Sequence, residues 1–445
     1  MMAGVYMGSP SQSTGFRDFS ITLGAQAASL ALGLATQSAL AWWLGTAGRG
    51  SYAACVVFIS VLNVLFVVGF DVAIEVFVAS RRFSVSEGVT YTFLCGAISS
   101  LVAVAAGLLA LQWPFAILDK ATPGQFLMAL AWMPMGIVAT ILSRFPMALG
   151  KFALGAVVQV GQIALQLALT LVLVLGLHTG VEGAIGAGVI TSVAVLVVVP
   201  LLLRREDDWR WVRPTLARLH ETWSFGARYY IGKVSNLATI EFGTVVVAMF
   251  VGKEEIGLFA VAAAVTARAE FIPNVLGTVI LPRVASAEEG RPELVAQCAR
   301  LTAVTCGMVL GVLVLFTELF VKLLFSPAFL PAVPLIRIIA AGTLLRCAAK
   351  VVVPYLISRN RPGLASAAVF AGMIVNVGVM LALLGRIGLP AAALGVTLSH
   401  VVSSVILLGA FRAVSRMPLR RFWAFSRRDW DPLIQAFGRF RAPGI

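Results

Sequence analysis

Twelve windows of about 20 mostly apolar residues, set along almost the whole chain, leave it few possible folds. They fall at roughly 19–43, 52–79, 88–112, 124–143, 153–177, 183–203, 224–250, 256–282, 295–320, 332–357, 364–385 and 391–412. A helix rises about 1.5 Å per residue, so each window is long enough to cross a ~30 Å hydrocarbon core. Lipid offers a backbone no hydrogen-bond partners, and an isolated apolar run therefore crosses as a helix. With 60% hydrophobic and 12% charged residues, the 445-residue chain reads as an all-α polytopic membrane protein with about twelve transmembrane helices.

In a soluble protein a net charge of +14 would point to nucleic acid, but here the position of the charge decides. With the N-terminus inside, 23 of the 34 Lys and Arg fall in cytoplasmic segments and 6 within spans. Only Arg49, Lys120, Lys253, Lys322 and Arg386 fall in outer loops. That bias places both termini in the cytoplasm of a multi-pass protein of the cell (inner or plasma) membrane. Nucleic acid drops out as a partner. The five cysteines are scattered in or beside spans and read as small apolar residues. The first apolar run is too long for a signal h-region and follows a leader containing Arg17.

The windows divide into two sets of six. A polar leader, 1–18, precedes a six-helix lobe at 19–203, and a second lobe follows at 224–412. Between them, 204–223 is the one substantial polar break; its Arg and Trp residues predict a short helix in the cytoplasmic interface. The tail, 413–445, is basic with Phe422, Trp423 and Trp430, which suits an anionic lipid surface. The lobes also share a pattern. Gly45 and Gly50-Ser51-Tyr52-Ala53 match Gly252 and Gly257-Leu258-Phe259-Ala260, both G-x4-G-x-aromatic-A, 207 residues apart. The same offset relates Gly188-Val189 to Gly395-Val396 and Ser192 to Ser399, which argues for duplication, a common transporter design.

Charges inside the spans are the candidates for function, because each is costly in lipid unless it meets a partner or a polar cavity. Six cations, Arg228, Lys233, Arg268, Arg337, Arg346 and Lys350, face three deep acids, Glu241, Glu270 and Glu318. Arg346 and Lys350 share a helix face at i, i+4, whereas Arg268 and Glu270 at i, i+2 do not, so each needs a partner elsewhere. Pro273 kinks the same helix just beyond them. Asp71 and Glu75 precede Arg81-Arg82 and read either as an interfacial charge cluster or as a gate or coupling-ion contact. Gln159, Gln162 and Gln166 share a face and would bond either a neighbouring helix or sugar hydroxyls. His400, mid-span, reads as a buried hydrogen-bonding residue before a proton relay.

No H-E-x-x-H, P-loop, nucleophile elbow or Cys/His cluster at metal spacing is present, and no outer loop is long enough for a catalytic domain. The chain is expected to be a carrier, not an enzyme, and to hold no cofactor. A coupling ion, H+ or Na+, would be its only inorganic partner.

On the Leu44-Gly45 to Tyr52-Ala53 turn, its repeat at Gly252 to Ala260, Phe225-Gly226, Ile272-Pro273 with Leu281-Pro282, and Gly150-Lys151-Phe152, the chain resembles a known family. This is the polysaccharide or O-antigen flippases of the multidrug/oligolipid/polysaccharide (MOP) exporter superfamily. The resemblance implies two six-helix lobes around a central cavity lined by helices one, two, seven and eight. It also implies transfer of a polyprenyl-diphosphate-linked oligosaccharide from inner to outer leaflet, with other polysaccharide assembly proteins as partners. The family's cationic cavity positions match Arg268 first and Lys233 next. Arg346, Arg228 and Lys350 would assist, since a cationic interior suits a diphosphate. Glu241, Glu270, Asp71 and Glu75 would serve coupling or gating. A drug/cation antiporter of the same superfamily is the alternative; it would need a dominant intramembrane acid, for which Glu241 is the candidate because the first helix carries none.

Overall fold

The computed structural model describes residues 12–67, 69–113, 115–207, 209–271, 273–274, 292–359 and 361–424; within these, the side chains of 12–20, 22, 205–207, 228, 229 and 231–242 are outside the description. Among the described residues there is no strand. The helices are α1 (Gln12–Val67), α2 (Phe70–Ala79), α3 (Val85–Ala110), α4 (Pro123–Leu142), α5 (Phe145–Ala148), α6 (Phe152–Thr170), α7 (Gly180–Asp207), α8 (Leu216–Phe250) and α9 (Lys253–Ala267). They continue as α10 (Pro292–Leu315), α11 (Thr317–Phe325), α12 (Val333–Lys350), α13 (Val353–Ser358), α14 (Pro362–Ile387), α15 (Pro390–Ser415) and α16 (Leu419–Phe422).

Among the described residues, nine helices are long and apolar enough to cross a membrane, and they cover ten of the twelve windows. Two windows share the 45-residue stretch Leu23–Val67, which Gly45 interrupts at φ 66°, ψ −174°, a conformation closed to side chains with a Cβ. Of the two charged windows, 224–250 falls on α8 and 256–282 begins on α9, its residues 275–282 lying outside the described residues. Local signals set the helix starts: Ser84 with Glu87 and Thr122 with Gln125 form capping boxes, the latter with Pro123 at the first helical position.

Packing divides the chain into two compact units. The first comprises Met1–Ala262, Glu318–Leu335 and Val377–Ala392. In it the two repeated glycine turns meet. A Cβ on Gly50 would overlap the carbonyl oxygen of Lys253, and one on Gly257 would overlap the carbonyl oxygen of Thr46. Thr46 and Lys253 are themselves 207 residues apart, so the contact maps onto itself when the repeats are exchanged. Backbones approach this closely only where both sides lack side chains, which is why the pattern carries Gly at both positions.

The polar break is not the short interfacial helix expected. α7 runs on to Asp207, and 209–215 form a non-helical strap along the start of α3. The backbone N–H groups of Arg210, Val212 and Thr215 donate to Ser86 Oγ (3.0 Å), Thr90 Oγ1 (3.2 Å) and Tyr91 Oη (2.8 Å). Side-chain hydroxyls therefore take the bonds a helix would have used, and Pro214 disfavours helical geometry at Arg213. Trp209 is buried and donates to Pro200 O at 2.7 Å. Trp211 is exposed and stacks edgewise on Phe93. Beyond the strap, Glu221 on α8 binds Arg82 and also Arg218 at 3.1 Å, tying α8 to the turn after α2.

The second unit comprises Ala263–Thr317, Ile336–Asn376 and Ala393–Ile445. Its core includes Tyr355, Phe411 and Phe422, stacked edge to face with centroids 5.0 and 5.2 Å apart. Phe422 is fully buried. Arg300, itself buried, donates to the carbonyl oxygen of Phe422 at 2.7 Å, and Arg421 pairs with Glu293 at 3.5 Å. The first turn of the basic tail thus places Phe422 in this unit's core. Trp430 lies outside the described residues.

Candidate functional site

The charged site of the second unit starts from a proline. Pro273 has no N–H for the carbonyl of Ala269 four residues earlier, and the helix loses its regular α geometry there, passing through a 3-10 turn at Arg268–Glu270. The Ala269 carbonyl finds a substitute donor in the Cys306 thiol at 3.7 Å. That turn holds the Glu270 carboxylate against α12. Oε1 accepts from Arg346 Nε at 2.7 Å and Oε2 accepts from Lys350 Nζ at 2.6 Å. Because Arg346 and Lys350 lie one helical turn apart, one carboxylate spans both. His400 on α15 is close enough to feel the charges of all three, and its Nδ1 is buried without a hydrogen-bond partner among the described residues. Cys306 and Cys347 are buried together with Ala269 in the core beside this cluster.

Arg268 is different. Its Nε is buried, and among the described residues it has neither a hydrogen-bond nor an ion-pair partner. The turn therefore carries one cation without a counter-charge two residues from a carboxylate shared by two others. Counting Arg268, Glu270, Arg346 and Lys350 gives a local charge of +2. The side chains of Arg228, Lys233 and Glu241 on α8 lie outside the described residues, so the expected approach of Lys233 to Arg268 does too.

The first unit holds a separate polar cavity of about 400 Å³, lined by Ser60, Asn63, Asp71, Thr140 and Arg144 among apolar neighbours. Glu75, one turn on from Asp71, pairs with Arg144 at 3.3 Å. The structure thus brings Asp71 and Glu75 to one place. The cation paired with Glu75 is Arg144, a residue sequence reasoning passed over, although a lone Arg directly before Phe145-Pro146 marks the end of an apolar window. Asp71, Glu75 and Arg144 belong to the first unit, and Glu270, Arg346 and Lys350 to the second. The glutamine stripe on α6 is half-buried, and among the described residues Gln159, Gln162 and Gln166 make no side-chain hydrogen bonds. Gln37 on α1 instead accepts from Arg49, whose guanidinium lies over the Tyr52 ring.

Long apolar helices broken at glycine and proline, with charges gathered at the breaks, define a helical membrane transport fold. The chain belongs to the polysaccharide biosynthesis protein family, whose model matches residues 16–288, more than half of the sequence. Solved structures agree on the fold. The lipid II flippase MurJ in an inward closed conformation superposes with a TM-score of 0.71 at 13% identity, covering 95% of this chain and 93% of that one. An inward-facing multidrug-resistance MATE transporter of the MOP superfamily gives 0.65 at 14%, covering 89% and 98%. A MOP-superfamily transporter from Pyrococcus furiosus, described as having a binding pocket of reverse polarity, gives 0.64 at 14%, covering 90% and 95%. No curated protein matches the chain by sequence.

Proposed function

We propose that the chain flips a polyprenyl-diphosphate-linked oligosaccharide from the inner to the outer leaflet of the cell membrane, by alternating access, for cell-surface polysaccharide biosynthesis. One observation carries the reading: Arg268, with its Nε buried, has no counter-charge among the described residues, beside two more cations that share a single carboxylate. A diphosphate diester carries about two negative charges, and a guanidinium offers it a bidentate fork. Arg268 is the principal phosphate ligand, with Arg346 and Lys350, and with Lys233 and Arg228 from α8. From the outer end near Gly257, Arg268 is eleven residues in, or ~16 Å, close to the middle of the bilayer, where a site can open to either side in turn. The glutamine face on α6, unbonded among the described residues, suits sugar hydroxyls.

In this reading both termini are cytoplasmic, two lobes at 19–203 and 224–412 rock about the glycine crossing, and H+, Na+ or the membrane potential drives the cycle. The basic tail beyond the docked turn meets anionic lipid and other assembly proteins. The drug/cation antiporter reading needs a carboxylate open to a cationic drug. Its candidate acid, Glu241, has its side chain outside the described residues; Glu270, the other deep acid near the cations, already has both oxygens on cations. The test is a deletion strain scored for lipid-linked glycan at the inner leaflet and for export of a cationic dye. Accumulated glycan with unchanged dye export is expected. Lost dye export with normal glycan would overturn the proposal.

A further inference from the structure

We propose that Glu270 is a built-in competitor for the substrate's diphosphate, occupying Arg346 and Lys350 until a phosphate takes them over. The inference rests on the flippase reading above. Its geometric basis is that Glu270 presents one oxygen to each of two cations one helical turn apart, as two oxygens of a single phosphate would. The cations are not exhausted by it. Arg346 uses only Nε of its five donors and Lys350 one of three, and among the described residues neither has another partner. Lys350 keeps 32% of its side chain accessible, so an incoming anion can reach the pair. The carboxylate sits on a short 3-10 turn ahead of Pro273, a stretch with weaker backbone hydrogen bonding than an α-helix, which lets it swing away.

Electrostatics adds the reason for such a residue. Arg346, Lys350 and Arg268 without a carboxylate would be three cations in one region of the bilayer, costly when empty and hard for a dianion to leave when full. With Glu270 present, the departing diphosphate is replaced at the same donors by an oxyanion already tethered there, so release does not leave Arg346 and Lys350 bare. Around Glu270 the other titratable groups are His400 from α15, Cys306 from α10 and Cys347 from α12, none of them anionic competitors of comparable strength.

Binding of farnesyl diphosphate to the full-length chain in lipid nanodiscs tests the assignment. Glu270→Gln keeps the shape but cannot compete, and it is expected to bind on the order of tenfold tighter than the parent protein with slower dissociation, the equivalent of one charge-assisted hydrogen bond. Arg346→Gln/Lys350→Gln should lose most of the affinity. Glu270→Asp retains the charge with a shorter reach, can hold only one cation well, and should bind more tightly by a smaller factor; it decides the matter if Glu270→Gln does not fold. Unchanged or weaker binding by folded Glu270→Gln or Glu270→Asp, with the parent binding normally, overturns the competitor role and leaves the flippase reading standing. No binding by the parent protein and all variants overturns both.

Discussion

Glu75–Arg144 and Glu270–Arg346–Lys350 are built from the same chemistry in opposite settings. Glu75 and Arg144 keep 40% and 53% of their side chains exposed, while Glu270 and Arg346 keep 18% and 14%. Where water reaches both partners, the solvated alternative is nearly as good and the pair is worth about 0–1 kcal/mol. Where it does not, breaking the pair strands a charge, and the cost rises to about 3–5 kcal/mol. The same bond is therefore a surface decoration in one unit and a structural requirement in the other. Arg268, a cation lacking a partner among the described residues, is a third case: no described residue compensates its desolvation, which makes sense if a ligand supplies the counter-charge.

The largest effect should come from that third case. Arg268→Ala should reduce flipping on the order of 10- to 100-fold at normal expression, the worth of one strong charge-assisted contact, and should not lower thermal stability. Arg268→Lys should restore little, because the planar fork is lost. Surface polysaccharide in a complemented deletion strain reads the first, and melting in detergent the second. A fully active Arg268→Ala would move the phosphate site to Arg346.

Arg346→Ala comes next. It leaves Glu270 half-neutralised and should destabilise the protein by about 3–5 kcal/mol. Replacing Glu270, Arg346 and Lys350 together with apolar residues of similar volume should recover most of that stability while abolishing flipping. Denaturation of the single and triple variants decides it: equal losses would mean that stranded charge is not the cause. Slightly smaller is Phe422→Ala, at about 3 kcal/mol, since it empties a fully buried ring site and loosens the carbonyl that Arg300 holds. A chain ending at Ser415 should lose more than Phe422→Ala does, since it removes the whole docked turn.

What could be read in advance divides along the same line as these bonds. Among the described residues, all twelve windows fall on helices, because apolar length is a local property of the chain. The glycine repeat pointed to two equivalent turns, and they meet, since only glycine tolerates such an approach. Pro273 marked the break that positions Glu270. The partner of Glu270 was not legible, because Arg346 is 76 residues away and their meeting depends on how three helices pack. Nor was the strap at 209–215: its composition suits an interfacial helix, and the hydroxyls that hold it extended come from α3, more than a hundred residues earlier. The docking of the tail's first turn was not legible for a similar reason. A run of arginines hid one phenylalanine, Phe422, whose burial depends on Tyr355 and Phe411.

The smallest expected effect tests the comparison at its other end. Arg144→Ala removes the cation of the exposed pair and should change stability by less than about 1 kcal/mol, with even that difference shrinking at high salt. Its transport phenotype is the more informative half. Arg144 also lines the 400 Å³ cavity with Asp71, Asn63, Ser60 and Thr140, so the side chain has a second surface that the ion pair does not use. If Asp71 and Glu75 are only an interfacial charge cluster, flipping by Arg144→Ala should stay within about twofold of the parent, in line with its small stability change. A tenfold loss of flipping in a variant of normal stability would separate the cavity from the ion pair and assign the cavity a gating or coupling role. Glu75→Gln is the control, since it breaks the same bond at 3.3 Å without being a lining residue of the cavity, and it should remain active in either case.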